Sequence, residues 1–161
     1  MIKIKKHSGI YTLEATQEID IPLHEAWSFF SSPNNLEKIT PSEMGFKITS
    51  EVDKKAYAGQ IITYKVGILP GINTNWVTEI TQVKNESFFI DEQRFGPYKM
   101  WHHEHWFYSQ PDGKTLMKDK ISYKIPFGIL GDLAQTLFIK KQLKGIFEYR
   151  FKTLETYFNE K

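Results

Sequence analysis

The run Trp101-His102-His103-Glu104-His105-Trp106-Phe107 packs three imidazoles and a carboxylate into seven residues. As a strand, its side chains alternate between two faces, with Trp101, His103, His105 and Phe107 on one and His102, Glu104, Trp106 and Tyr108 on the other. The segment 115–123 indicates which face is inward. Lys118 and Lys120, with Lys124 just beyond, mark a wet face and turn Met117, Asp119, Ile121 and Tyr123 inward. A carboxylate facing a core is costly unless it is paired. Gln110-Pro111-Asp112-Gly113-Lys114 is a hairpin signal with a glycine free to take positive φ. A three-residue loop there sets His105 opposite Asp119, Trp101 opposite Tyr123 and Phe107 opposite Met117. On the other flank, matching inward faces across the turn near 95–100 sets Asp91 opposite His105 and Gln93 opposite His103. The expected arrangement is an imidazole between two carboxylates, with His103 and Gln93 one layer away and His105 cationic at neutral pH.

That cluster is compatible with several chemistries. As the polar wall of a pocket it would comprise Asp91, Gln93, His103, His105, Asp119 and Tyr123, with Tyr64, Trp76, Phe89, Trp101 and Phe107 as apolar lining. A plainer alternative is a satisfied buried network that fixes strand register and touches no ligand. His105 oriented by Asp91 or Asp119 could instead be a general acid–base of the cyclase or dehydratase kind, although no nucleophile motif accompanies it. His103 and His105 at i, i+2 with a nearby aspartate also resemble part of a cation site, a pattern common by chance. No metal or cofactor is expected.

The bulk numbers narrow the field. The chain has 161 residues, is 40% hydrophobic and 25% charged, and carries a net charge of +2, which suits one soluble domain over 1–161 with its core at about 11–158. Scattered lysines and so small a charge argue against a nucleic-acid partner. The absence of cysteine removes disulfides, thiolate metal sites and cysteine nucleophiles. No signal-peptide pattern or membrane-length apolar run is visible, so the expectation is a cytoplasmic protein without membrane insertion, monomeric or weakly dimeric.

Strict alternation marks 11–21 as a half-buried strand. Pro22 opens a short helix over 23–30, and Ser32-Pro33 reads as the cap and first turn of a second over 33–39. Strand patterns follow at 46–52, 60–66, 75–83, 87–95, 100–109 and 115–124, joined closely enough for an antiparallel meander. Residues 67–72 read as a loop with apolar residues, a candidate lid or dimer contact. A break at 125–128 precedes a long amphipathic helix from 132 to about 158, with Leu133, Leu137, Leu143, Ile146, Phe147, Phe151, Leu154 and Phe158 as its stripe and Arg150 among the cations set largely off it. Gly145 in mid-helix points to a close approach or to mere tolerance. Such a helix must bury its stripe in the concave face of the sheet, leaving a cavity behind the small helices.

This order of elements, opened by Ala26-Trp27-Ser28-Phe29-Phe30-Ser31-Ser32-Pro33-Asn34-Asn35-Leu36, resembles the helix-grip fold of the SRPBCC superfamily, which includes START-like and polyketide-cyclase-like proteins. The segments Phe89 to Tyr98, Trp101 to Phe107 and Asp119 to Gly128 resemble its bacterial cell-division-inhibitor-like, ligand-binding subgroup. The resemblance implies an α+β fold with about seven antiparallel strands around a long C-terminal helix, and a cavity for a small hydrophobic or aromatic molecule.

Overall fold

A computed structural model describes residues 1–69 and 72–159 of the chain. Among these, the strands β1 (Ile2–His7), β2 (Ile10–Ile19), β3 (Lys47–Ile48), β4 (Gln60–Leu69), β5 (Ile72–Lys84), β6 (Phe88–Phe95), β7 (Met100–Ser109) and β8 (Thr115–Lys124) form one antiparallel sheet. Their order is β1-β2-β8-β7-β6-β5-β4-β3. Helix α1 (Leu23–Phe30) and three single 3-10 turns connect β2 to β3 at the opposite edge. After β8 come α2 (Ile129–Ala134), a π turn (Gln135–Ile139) and α3 (Lys140–Asn159), which packs against the sheet. The fold is α+β, a sheet gripping a long C-terminal helix.

The extra strand is β1. Its Ile2-Lys3-Ile4-Lys5 alternation pairs with β2 through a turn in which Ser8 and Gly9 both take positive φ, and its lysines suit a sheet edge. The second small helix expected at 33–39 is instead two 3-10 turns, and Ser32 makes no side-chain cap. The strand expected at 46–52 is paired only at Lys47–Ile48. Of the loop expected at 67–72, Pro70 and Gly71 lie outside the described residues.

The C-terminal stripe needs a correction. Leu133 and Leu137 are 54% and 56% exposed, while Leu143, Phe147, Leu154 and Phe158 are buried. The π turn between them accounts for this: one added residue per turn rotates everything before it away from the face that follows. Gln135 takes the inward place instead, buried, with its amide donating to the Tyr123 hydroxyl at 2.7 Å.

The apolar interior is two clusters. One gathers α1 with Ile62, Ile80, Phe89, Phe107, Met117, Leu154 and Phe158. The other joins Tyr11, Leu13, Ala15, Ile121, Tyr123, Leu143 and Phe147. On β8, Asp119 falls between Met117 of the first cluster and Ile121 of the second. On α3, Arg150 falls between Phe147 and Leu154 in the same way.

Gly145 is exposed, and a Cβ there would meet nothing within 4 Å, so its place in α3 reflects tolerance. Gly145→Ala should therefore raise stability by about 1 kcal/mol through helix propensity, read from the midpoint of urea unfolding; a loss of stability would show that the helix needs the glycine.

Candidate ligand-binding site

The β7–β8 hairpin forms with the expected register. Gly113 takes φ +83°, Ser109 pairs with Thr115, and His105 lies opposite Asp119, Trp101 opposite Tyr123 and Phe107 opposite Met117. The β6–β7 register does not follow expectation. Asp91 faces His103 and Phe89 faces His105, a shift of two residues that leaves Gln93 outside the paired stretch. The cause is the Gln93 side chain. Its amide nitrogen donates to the Tyr98 carbonyl at 2.6 Å, and its amide oxygen accepts from the Tyr98 N–H at 3.1 Å. The side-chain amide thus substitutes for a ladder peptide and widens the turn. Gly96 makes room for it, since a Cβ there would sit 2.5 Å from the Gln93 oxygen.

The inward residues still converge, because a cross-strand diagonal remains within reach of long side chains. His105 Nε2 donates to Asp91 Oδ2 at 2.8 Å, and its Nδ1 lies 3.0 Å from Asp119 Oδ1. His103 Nε2 donates to the same Asp119 oxygen at 2.9 Å, while its Nδ1 is 3.6 Å from Asp91 Oδ2. The two imidazoles sit 3.7 Å apart by ring centroid, and Phe89 stacks on His105 at 4.1 Å. His103 therefore belongs to the same layer as His105. Behind them Arg150 Nη1 lies 3.8 Å from Asp119 Oδ1.

Two imidazoles this close do not both carry charge cheaply. Burial opposes charge on His105, but its hydrogen bonds to Asp119 and Asp91 outweigh it and raise its pKa above the ordinary histidine value of 6.5. For His103, burial and the neighbouring His105 prevail over Asp119 and Asp91 and lower the pKa. Burial pushes both carboxyls up, yet the imidazoles hold Asp91 below the ordinary carboxylate range and Asp119 well below it. Burial also lowers the Arg150 guanidinium, with Asp119 and Asp91 acting against it. These directions favour charge on both carboxylates and on His105 and oppose it on His103, beside the Arg150 guanidinium.

Asp91, His103 and His105 bring their donor atoms within 4.8 Å of one another, but this set does not fit a divalent cation. Its one carboxylate, Asp91, is already held by the His105 N–H, and two further positive charges would sit beside Arg150.

The cluster lines one side of a cavity of about 210 Å³ between the sheet, α1 with its following turns, and α3. Tyr64, Trp76, Phe89, Asp91, Trp101, His103, His105 and Asp119 are in its wall; Gln93, Phe107 and Tyr123 are not. Gln93 clamps the turn, Phe107 packs against Trp27 and Phe30, and Tyr123 is engaged by Gln135. Trp76 Nε1 donates to Thr78 Oγ1, which also meets the Tyr64 hydroxyl, each at 3.2 Å. Burial, and the nearby Asp91, push the Tyr64 phenol well above its ordinary pKa. The wall also includes Phe29, Phe30, Ile62, Ile80, Ile146 and Arg150. Arg150 was legible only by position, three residues after Phe147 and four before Leu154.

On the outer face, Glu92 accepts from His102 Nδ1 at 2.8 Å, and Arg94 bridges Glu79 and Glu92 at 2.6 and 3.1 Å. These groups face away from the cavity.

No family model and no curated relative matches the chain. Solved structures do share its fold. A START superfamily protein from Mycobacterium smegmatis superposes with a TM-score of 0.69 at 13% identity, over 92% of this chain and 97% of that one. A Staphylococcus epidermidis protein solved by NMR gives 0.67 at 15% identity, over 98% and 93%. The crystal structure of Ara h 8.0201 gives 0.62 at 15% identity, over 95% and 100%. These likenesses establish the helix-grip fold. No helix among the described residues is long and apolar enough to cross a membrane.

Two predictions follow from this geometry. Gln93→Ala leaves the Tyr98 N–H and carbonyl without their partner and should cost roughly 1–3 kcal/mol, measured by guanidinium unfolding; unchanged stability would remove the clamp. In an NMR titration of the imidazoles, His105 should titrate above 6.5 and His103 below it. A raised histidine stabilises the fold fully below its unfolded pKa, and that contribution fades as pH rises through the folded value. The lowered His103 works oppositely, weakening the fold as pH falls below 6.5. The two aspartates support the fold above 3.8 and lose that contribution in acid. Finding His105 below His103 would reverse the assignment.

Proposed function

We propose that this protein binds a small hydrophobic or aromatic molecule in the cavity between its sheet and C-terminal helix, and returns it unchanged. One observation carries the reading: a largely aromatic and aliphatic wall surrounds about 210 Å³, and the Asp91, His103, His105, Asp119 and Arg150 cluster, the charged part of that wall, converges on it from one side. Few convergent polar groups among apolar side chains is the chemistry of orientation within a binding pocket. The volume lies below the roughly 300–1,000 Å³ of drug-sized sites, which favours a compact ligand of one or two rings or a medium-length chain. Likeness to a START superfamily protein supports a ligand-binding fold in general, although fold alone does not choose a ligand. The three segments resembling the cell-division-inhibitor-like subgroup agree with the same reading, and we propose that the chain acts as a cytoplasmic monomer or weak dimer.

The chemistry favours binding over acid–base catalysis at His105. A general base needs a free ring nitrogen, and both nitrogens of His105 face carboxylates at 2.8 and 3.0 Å.

The test is native mass spectrometry of the purified chain, followed by thermal unfolding with whatever molecule is released. A ligand that binds only the native state should stabilise it by about 2.7 kcal/mol at a hundred times its Kd, and should be recovered with unaltered mass. A chain that carries nothing and gains no stability from any compact aromatic or aliphatic compound would overturn the proposal, and turnover of the ligand would replace it with catalysis.

A further inference from the structure

Arg150 occupies a place in α3 where an apolar residue is the default. Leu143, Phe147, Arg150 and Leu154 follow at steps of four, three and four, all on the buried face. Its side chain is nine-tenths buried, and its guanidinium carries five N–H donors in a fixed fork. Its Cζ lies 4.9 Å from the Phe147 ring centre, and its ion-pair contact is with Asp119 at 3.8 Å, near the outer limit of such a pair, with Asp91 acting on it at longer range. Asp119 Oδ1 is already occupied by His103 at 2.9 Å and His105 at 3.0 Å. Arg150 Nε is buried with no hydrogen-bond partner. A buried donor without an acceptor is costly, the more so on a charged group. The same guanidinium lines the cavity.

We propose that Arg150 anchors the head group of the cavity's occupant, which is therefore a compact apolar or aromatic molecule ending in a carboxylate. This rests on the ligand-binding reading above and names the class of its ligand. The guanidinium fork matches the two oxygens of a carboxylate, and such charged, paired hydrogen bonds are about twice as strong as neutral ones. An alcohol or ketone offers one acceptor and leaves the fork half used.

A ligand carboxylate must be matched in charge. The cluster without a ligand is neutral overall, so a carboxylate would bring in one uncompensated negative charge. His103 is the group able to answer it. Burial and His105 disfavour its charge in the empty site, its Nδ1 lies 3.6 Å from Asp91 Oδ2, and a ligand carboxylate beside it would offset the repulsion from His105 and favour its protonation. The remaining ionisable groups nearby are Tyr64 and Tyr98, both kept as neutral phenols by burial.

The test uses the full chain and two matched pairs in isothermal titration: 2-naphthoate with 2-naphthylmethanol, and decanoate with decanol. At least one acid should bind about tenfold or more tighter than its alcohol. In Arg150→Met, which keeps the length and removes the fork, that acid should weaken about tenfold while the alcohol changes little. If Arg150→Met does not fold, Arg150→Lys carries the test, because it retains charge without the bidentate geometry. A several-fold loss for the acid alone supports the anchor, and an unchanged acid overturns it. Alcohols binding as well as their acids in the unaltered chain, or an acid preference surviving in Arg150→Met, would overturn the head-group assignment and leave the cavity reading standing. Failure of all four compounds, together with a chain that carries nothing on purification, would overturn both.

Discussion

The site depends on the Asp119 carboxylate and the imidazoles it holds. A single oxygen lies 2.9 Å from one imidazole nitrogen and 3.0 Å from another, on a side chain only 4% exposed. A buried carboxylate is tolerated only beside donors that match it, and removing those donors exposes a desolvation cost of several kcal/mol. Three strands and the C-terminal helix must therefore keep their mutual positions: β8 to carry Asp119, β7 to deliver both imidazoles, β6 to supply the second carboxylate, and α3 to bring Arg150 alongside. Apolar packing alone would permit some sliding of α3 along the sheet. The charged layer between the two apolar clusters gives a reason for it to stop where it does.

The turn between β6 and β7 shows how a local substitution at the end of a strand tunes a site in its middle. Because the Gln93 amide stands in for a peptide group, the β6–β7 pairing stops at Glu92 opposite His102. Asp91 is then directly across from His103 and diagonal to His105. The diagonal is the shorter contact, 2.8 against 3.6 Å. This asymmetry distinguishes the two histidines electrostatically: His105 meets a carboxylate at each nitrogen, whereas His103 has one good partner and one distant one. One proton is thus held tightly and a second position is left open.

Legibility in the sequence followed the strength of local signals. The lysine alternation on β8 and the Pro-Asp-Gly turn fixed both the inward face and the β7–β8 register, so the pairing of His105 with Asp119 was readable. The β6–β7 register was not, since the competing partner was a glutamine side chain that pattern treats as one more inward polar residue. The assignment of Gln93 to the pocket wall failed for the same reason. Leu133 and Leu137 were placed on the buried stripe because a regular helix would put them there, and nothing in Gln135–Ile139 announces a π turn. Arg150 reads as one of the cations off the apolar stripe because arginines are mostly exposed; its spacing from Phe147 and Leu154 is the available clue.

The cavity and the charged layer also account for one another. Apolar side chains from either cluster could close over about 210 Å³ if the surface between them were apolar, since cores pack to crystal-like density. They cannot close over Asp91, His103, His105 and Arg150 without stripping the remaining polar atoms of any acceptor or water. The wall on that side is held rigid by hydrogen bonds and ring stacking, and the opposite wall is held by α1 and its 3-10 turns, whose aromatic residues are locked against β7 through Trp27, Phe30 and Phe107. The space between these two walls is thus kept open by contacts made within each of them.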